Sequence, residues 1–170
     1  MPNVKSPRVT QAREMAFKAH GDQKYGTFPY SVHLNAVWDL CVPYGEDAEI
    51  IAFLHDTLED TKLTGDEIQT AFGPFIRRCV EDLTDSPGSN RKIRKAATYA
   101  RLTAISGASP EAVSLIVKAA DRLANVRQSF EDGNVKLLDM YLKEHLAFRL
   151  AVYREGLNDV LIKEIDAILE

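Results

Sequence analysis

Residues 50 to 61 read Ile50-Ile51-Ala52-Phe53-Leu54-His55-Asp56-Thr57-Leu58-Glu59-Asp60-Thr61, and the fold turns on how this stretch is read. Five apolar residues run straight into a His-Asp pair, and a Glu-Asp pair follows four residues later. Read as one helix, the stretch puts His55 one turn from Glu59 and Asp56 one turn from Asp60. An imidazole and several carboxylates then share one side, pressed toward the interior by the apolar run before them. Gathering that much negative charge there is unfavourable unless something positive sits among it. A divalent metal ion meets the need.

Working outward, the flanking sequence is also helical. Ser6-Pro7 is a serine cap followed by proline at the first helical position, so a helix is expected from there to about His20, ended by Gly21. Residues 21 to 29 (GDQKYGTFP) carry two glycines and a proline and are expected to form a loop. A second helix starts at Pro29 and closes at Pro43 and Gly45, and a third begins near Glu46 and contains the opening stretch. Thr64 with Glu67 three residues on is a capping box. Further helices are expected after Gly73-Pro74, from Asn90 to about Ile105, and after Ser109-Pro110. Two more follow, from Val135 to about Arg154 and from beyond Gly156 to near Leu169. No strand alternation, internal repeat or low-complexity tract is visible. The expectation is an all-α, single-domain helical bundle over residues 1 to 170, with the motif-bearing part between about 20 and 127 and C-terminal helices over 135 to 169 completing it.

Composition narrows the function classes. A chain of 170 residues can bury roughly 70% of its unfolded surface, enough for a core without staples. Apolar and charged fractions of 45% and 27% are those of an ordinary globular domain. No apolar stretch approaches the ~20 residues of a membrane span, and MPNVKSPRVT lacks a signal-peptide core, so a cytoplasmic protein without membrane contact is expected. Cys41 and Cys79 lie in apolar surroundings and are expected to be buried thiols. The net charge of −4 argues against general nucleic-acid binding. The charge is uneven, though. Arg77, Arg78, Arg91, Lys92, Arg94, Lys95 and Arg101 crowd one span while acids gather between Glu46 and Asp66. That arrangement suits a small polyanionic ligand held beside a metal, or else a basic helix face in solvent.

The chain has four histidines, of which His33 falls on the apolar side of its helix near Tyr30 and Val37. Far downstream, Asp121 is preceded by two alanines, one turn after Val117, and an acid projecting from such a segment needs a partner. Arg122 is adjacent but points elsewhere on a helix. Two imidazoles and two carboxylates, all from helices, suit Mn²⁺, Fe²⁺, Zn²⁺ or a similar ion.

The order His33, His55-Asp56, Asp121 resembles the H…HD…D pattern of HD-domain metal-dependent phosphohydrolases. Three longer pieces are more specific: Pro29-Tyr30-Ser31-Val32-His33, then residues 54 to 61, then Lys118-Ala119-Ala120-Asp121-Arg122-Leu123-Ala124-Asn125-Val126-Arg127. Together they resemble the stand-alone hydrolase domain of the RelA/SpoT-type stringent-response proteins, the small alarmone hydrolases. The resemblance implies removal of the 3′-pyrophosphate from ppGpp and pppGpp with a single Mn²⁺ bound by His33, His55, Asp56 and Asp121. Only His20 and His145 remain as spare imidazoles for a second ion. The resemblance further makes Glu59 and Asp60 the catalytic acids, which would orient and deprotonate the attacking water.

Substrate contacts are implied at Asn125 and Lys118, one turn to either side of Asp121, and at Arg91 and Lys92 in the basic helix. Tyr141 and His145, one turn apart, either line the pocket or lie on a surface helix. One departure stands out: where the family commonly has an Arg-Lys pair, the loop at 23 to 30 carries only Lys24, and Tyr25 is expected to stack on the base. The partner expected is a small nucleotide, with a homodimer as a further option. The alternatives are an HD-type nucleotidase acting on another nucleotide and a catalytically silent nucleotide-binding regulatory module. Against the latter, all six motif residues are present.

Overall fold

A computed structural model describes residues 6 to 170; the first five residues of the N-terminal stretch read above lie outside it. The chain forms two compact units, one ending at Thr84 and the other spanning Asp85–Glu170. Both are helical, as expected of an all-α protein.

In the first unit, helix α1 (Pro7–His20) begins where the Ser-Pro signal places it. Ser6 Oγ accepts the Val9 N–H at 3.2 Å, and Gly21 ends the helix with φ +52°. The expected loop after it is instead a small antiparallel hairpin, β1 (Lys24–Tyr25) with β2 (Phe28–Pro29), pairing Tyr25 with Phe28. Gly26 at φ +59° turns its tip. Strands of two residues are too short for alternation to register in a sequence. Helices α2 (Tyr30–Cys41), α3 (Glu46–Leu54), α4 (Thr57–Asp60), α5 (Gly65–Phe72) and α6 (Pro74–Leu83) complete the unit.

Helix α3 is its core. Ile50, Ile51, Ala52, Phe53 and Leu54 are all fully buried, the mark of a helix that is apolar all round and packed on every side. It packs against α1, α2 and α6. Trp38 stacks over Phe53 at 5.8 Å and Phe17 meets it edge-on at 6.1 Å. Burying such a side chain contributes about 1.5–3 kcal/mol, so α3 is a firm base for what lies at its end.

That end differs from the sequence expectation. The stretch is not one helix: α3 stops at Leu54, and Asp56 adopts φ −101°, ψ −1° before the single turn of α4. Side chains make the break. His55 Nδ1 lies 2.6 Å from the Ala52 carbonyl and Thr57 Oγ1 donates to the Leu54 carbonyl at 2.7 Å, both taking acceptors that a continuing helix would use. Only after the break does i to i+4 bonding resume, with Asp60 N–H donating to the Asp56 carbonyl at 3.0 Å.

The second unit contains α7 (Arg91–Thr103), α8 (Val113–Glu131), α9 (Val135–Val152) and α10 (Asp159–Leu169). Asn90 caps α7 through the Ile93 N–H, and Asn134 caps α9 through the Leu137 N–H. The Ser109-Pro110 signal opens a short 3-10 turn (Pro110–Ala112) rather than α8 itself. Helix α8 is the buried centre of this unit, packed against α9 and α10. Cys41 and Cys79 are buried thiols, as expected. Among the described residues, no helix is long and apolar enough to cross a membrane.

Candidate metal centre

The break at Asp56 turns three donors toward one another. His33 comes from the buried side of α2, one turn after Tyr30, and His55 and Asp56 come from the end of α3. Ligand atoms of His33, His55 and Asp56 all lie within 4.8 Å of one another. Asp56 Oδ2 is the meeting point: His55 Nε2 stands 2.9 Å from it, His33 Nε2 3.6 Å, and the Tyr30 hydroxyl donates to it at 2.5 Å. Both imidazoles are almost wholly buried, whereas Asp56 retains some exposure.

Hydrogen-bond logic shows that this set fits a cation. A backbone carbonyl only accepts, so His55 Nδ1 carries the hydrogen that faces Ala52. In the neutral ring Nε2 then presents a lone pair, and it presents it to a carboxylate oxygen. Two acceptors at 2.9 Å repel unless a proton or a metal ion comes between them. A metal-binding histidine with its other nitrogen on a backbone carbonyl is the usual way a protein fixes tautomer and ring orientation. Two imidazoles and a carboxylate suit a first-row divalent ion.

Glu59 and Asp60 follow on α4, both exposed. They line a cleft of about 920 Å³ whose other walls include Gln11, Glu14, Lys18 and Lys62. Asp60 Oδ2 accepts from Gln23 Nε2 at 3.2 Å. Tyr25, expected to stack on a base, stacks on the His33 ring at 4.7 Å and meets Tyr30 edge-on. Lys24 is exposed on the hairpin.

The remaining candidates belong to the second unit. Asp121 sits midway along α8, with Lys118 Nζ 3.6 Å from Oδ2 and Asn125 Nδ2 donating to Oδ1 at 3.0 Å. Lys118 is buried rather than reaching for solvent. Lys92 is exposed, but Arg91 is engaged: its Nε donates to Glu144 at 2.7 Å. Glu144 also meets the buried Arg122 at 3.1 Å, and the Arg122 guanidinium lies over the Tyr141 and Phe148 rings. Burial pushes the Glu144 carboxyl up, but the Arg91 hydrogen bond and the two guanidinium charges outweigh it and hold it below the usual range. Burial, then the charge of Lys118, pulls the Lys95 ammonium down. Tyr141 is buried against Arg122, and His145 places Nε2 2.6 Å from Asp166.

Sequence reasoning passed over Tyr30 and Gln23 as site residues, although the Tyr30 to His33 spacing of one turn was a signal that the phenol would reach the same place. It also missed the Arg91, Glu144 and Arg122 cluster, which no local pattern announces.

The helical fold and the His33, His55, Asp56 set, which could hold a metal ion, are of the HD type. No family model matches the chain, but curated relatives do. A guanosine-3′,5′-bis(diphosphate) 3′-pyrophosphohydrolase of Aquifex aeolicus is 35% identical, over 85% of this chain and 22% of that protein. A GTP pyrophosphokinase rsh of Brucella suis is 34% identical, over 97% of this chain and 24% of its own. The chain thus spans about a quarter of the length of these relatives. Human guanosine-3′,5′-bis(diphosphate) 3′-pyrophosphohydrolase MESH1 is 32% identical, over 71% of this chain and 68% of that protein. A solved structure described as a metazoan ortholog of SpoT that hydrolyzes ppGpp superimposes with a TM-score of 0.79, covering 96% of this chain and 94% of that one at 22% identity, which supports the fold. The chain belongs to the family of MESH1-type guanosine-3′,5′-bis(diphosphate) 3′-pyrophosphohydrolases.

Proposed function

We propose that this protein is a metal-dependent pyrophosphohydrolase that removes the 3′-pyrophosphate of ppGpp and pppGpp. The convergence of His33, His55 and Asp56 beside the Glu59-Asp60 pair is the observation that carries the reading. Asp121 is the fourth ligand in this proposal, a role the sequence resemblance supports, and the single-domain reading of residues 1 to 170 belongs to the same proposal. The Asp121 carboxylate is steadied by Lys118 and Asn125. One Mn²⁺ in a cytoplasmic setting belongs to the same reading and is supported by the sequence resemblance.

These residues would hold a divalent ion, whose chemistry would be to acidify a water and offset phosphoryl charge. The chain's own groups do the rest. Tyr30 holds Asp56 Oδ2, and the Ala52 carbonyl keeps His55 Nε2 turned inward. Glu59 and Asp60, exposed on the cleft, orient the attacking water and take its proton. Lys24 and Lys92, both exposed, are free to meet phosphate oxygens. Arg91, tied to Glu144, fixes the start of α7.

The test is incubation of the Mn²⁺-loaded protein with ppGpp, pppGpp and deoxynucleoside monophosphates. Pyrophosphate release from ppGpp is expected, and its loss in Asp121→Ala and in Glu59→Ala. Turnover of deoxynucleoside monophosphates with none of ppGpp would replace this reading with that of an HD-type nucleotidase.

A further inference from the structure

The end of α1 reaches the catalytic pair through two side chains that the proposed mechanism leaves unassigned. Gln23 Nε2 lies 3.2 Å from Asp60 Oδ2, and Gln23 Oε1 lies 2.8 Å from His20 Nδ1. The Gln23 backbone is fixed at both ends, its N–H donating to the His20 carbonyl and its carbonyl accepting from the Tyr30 N–H, each at 3.0 Å. His20 is buried at the helix end, and its ring stacks on Tyr30 at 4.5 Å. Tyr30 is the residue that donates to Asp56.

Proton bookkeeping orients the chain of bonds. An ionised carboxylate only accepts, so the amide nitrogen of Gln23 must face Asp60 and its oxygen must face His20. His20 Nδ1 then carries the hydrogen. In the neutral ring, His20 Nε2, buried with no hydrogen-bond partner among the described residues, then presents a lone pair. The reverse tautomer would set two acceptors against each other at 2.8 Å and flip the amide away from Asp60.

We propose that Gln23, locked by the Nδ1–H tautomer of His20, is a positioning residue that aims the Asp60 carboxylate, holding Oδ2 and leaving Oδ1 to the water. This rests on the reading of Asp60 as a group that handles that water. Gln23 stands immediately before β1, and its side chain reaches both the end of α1 and α4. Rotating a proton acceptor by an ångström is enough to slow a reaction by ~100-fold, so an amide that fixes one oxygen acts on turnover rather than on binding.

Two measurements test it. The first compares wild type with Gln23→Leu, which keeps the bulk and removes the donor, for ppGpp turnover, Mn²⁺ affinity and thermal midpoint. A fall of kcat by about 10-fold with KM and Mn²⁺ affinity unchanged is expected, beside a lower midpoint from the buried His20 donor left without its acceptor. Unchanged kcat, or a fall that tracks lost Mn²⁺ affinity, overturns the proposal. The second reads the His20 ring by long-range ¹H–¹⁵N correlation in the metal-free protein. The Nδ1–H form is expected in wild type, with a tautomeric mixture in Gln23→Leu, and an Nε2–H form in wild type overturns the proposal. This second readout holds even if ppGpp proves not to be the substrate, so failure of the functional reading and failure of the positioning device are told apart.

Discussion

One carboxylate oxygen, Oδ2 of Asp56, gathers the Tyr30 hydroxyl and two imidazole nitrogens around itself. Removing the hydroxyl in Tyr30→Phe leaves the ring packing with His20 and His33 in place and frees that oxygen to rotate. Outer partners of this kind are worth 10–100-fold in metal affinity. Calorimetric titration of Tyr30→Phe with Mn²⁺ should therefore show binding weakened by about 10-fold, with little change in unfolding midpoint. A second residue-scale prediction concerns Glu144, whose folded carboxyl is held below its ordinary value of 4.5 by Arg91 and Arg122. A depressed acid stabilises the fold above its unfolded value, and that stability is lost as the pH falls from about 4.5 through the lower folded value. Glu144→Gln leaves the buried Arg122 charge without its carboxylate and should cost about 3 kcal/mol at pH 7. In urea titrations at stepped pH, the gap between variant and wild type should close below that window; a gap that persists in acid would mean the loss is one of packing.

At the scale of elements, the interruption between α3 and α4 separates two jobs. The buried helix anchors His55 and Asp56, while the following single turn carries Glu59 and Asp60 to the cleft edge. A continuous helix would have kept the four on one axis. The segment after them is held by the capping box, in which Thr64 Oγ1 accepts the Glu67 N–H and Glu67 Oε2 accepts the Thr64 N–H. Thr64→Ala removes half of that reciprocal pair and should destabilise the protein by about 1 kcal/mol, measurable by urea unfolding. Hydrolysis should stay near wild type, because α5 contributes only Glu67 to the cleft wall.

For the whole molecule, the proposed ligand set comes from distant parts of the sequence: His33, His55 and Asp56 in its first half and Asp121 in its second. A metal that binds only the folded state stabilises it by about 2.7 kcal/mol at a hundred times its dissociation constant. Calorimetric scans with and without Mn²⁺ should show a rise in midpoint for wild type, lost on chelation and largely absent in Asp121→Ala. A full rise in Asp121→Ala would remove Asp121 from the set and leave the site to the first unit alone.

The sequence by itself determined the helical class, because apolar spacing, serine and threonine caps and the Gly-Pro stops are local signals, and local signals survive in a one-dimensional reading. It also singled out the candidate donors, since His33, His55, Asp56 and the Glu59-Asp60 pair stand in a recognisable order. What it did not contain was the break at Asp56. That break arises because His55 and Thr57 take backbone carbonyls that a helix would use, and apolar spacing cannot register such competition. The hairpin at residues 24 to 29 and the ties from Gln23 to Asp60 and from Arg91 to Glu144 were likewise decided by tertiary structure. The two ties join residues tens of positions apart, and only packing brings such partners within hydrogen-bonding distance, while the hairpin's two-residue strands are too short to register as alternation. Hence the stretch at 50 to 61 named the chemistry, and the fold around it decided which atoms face which.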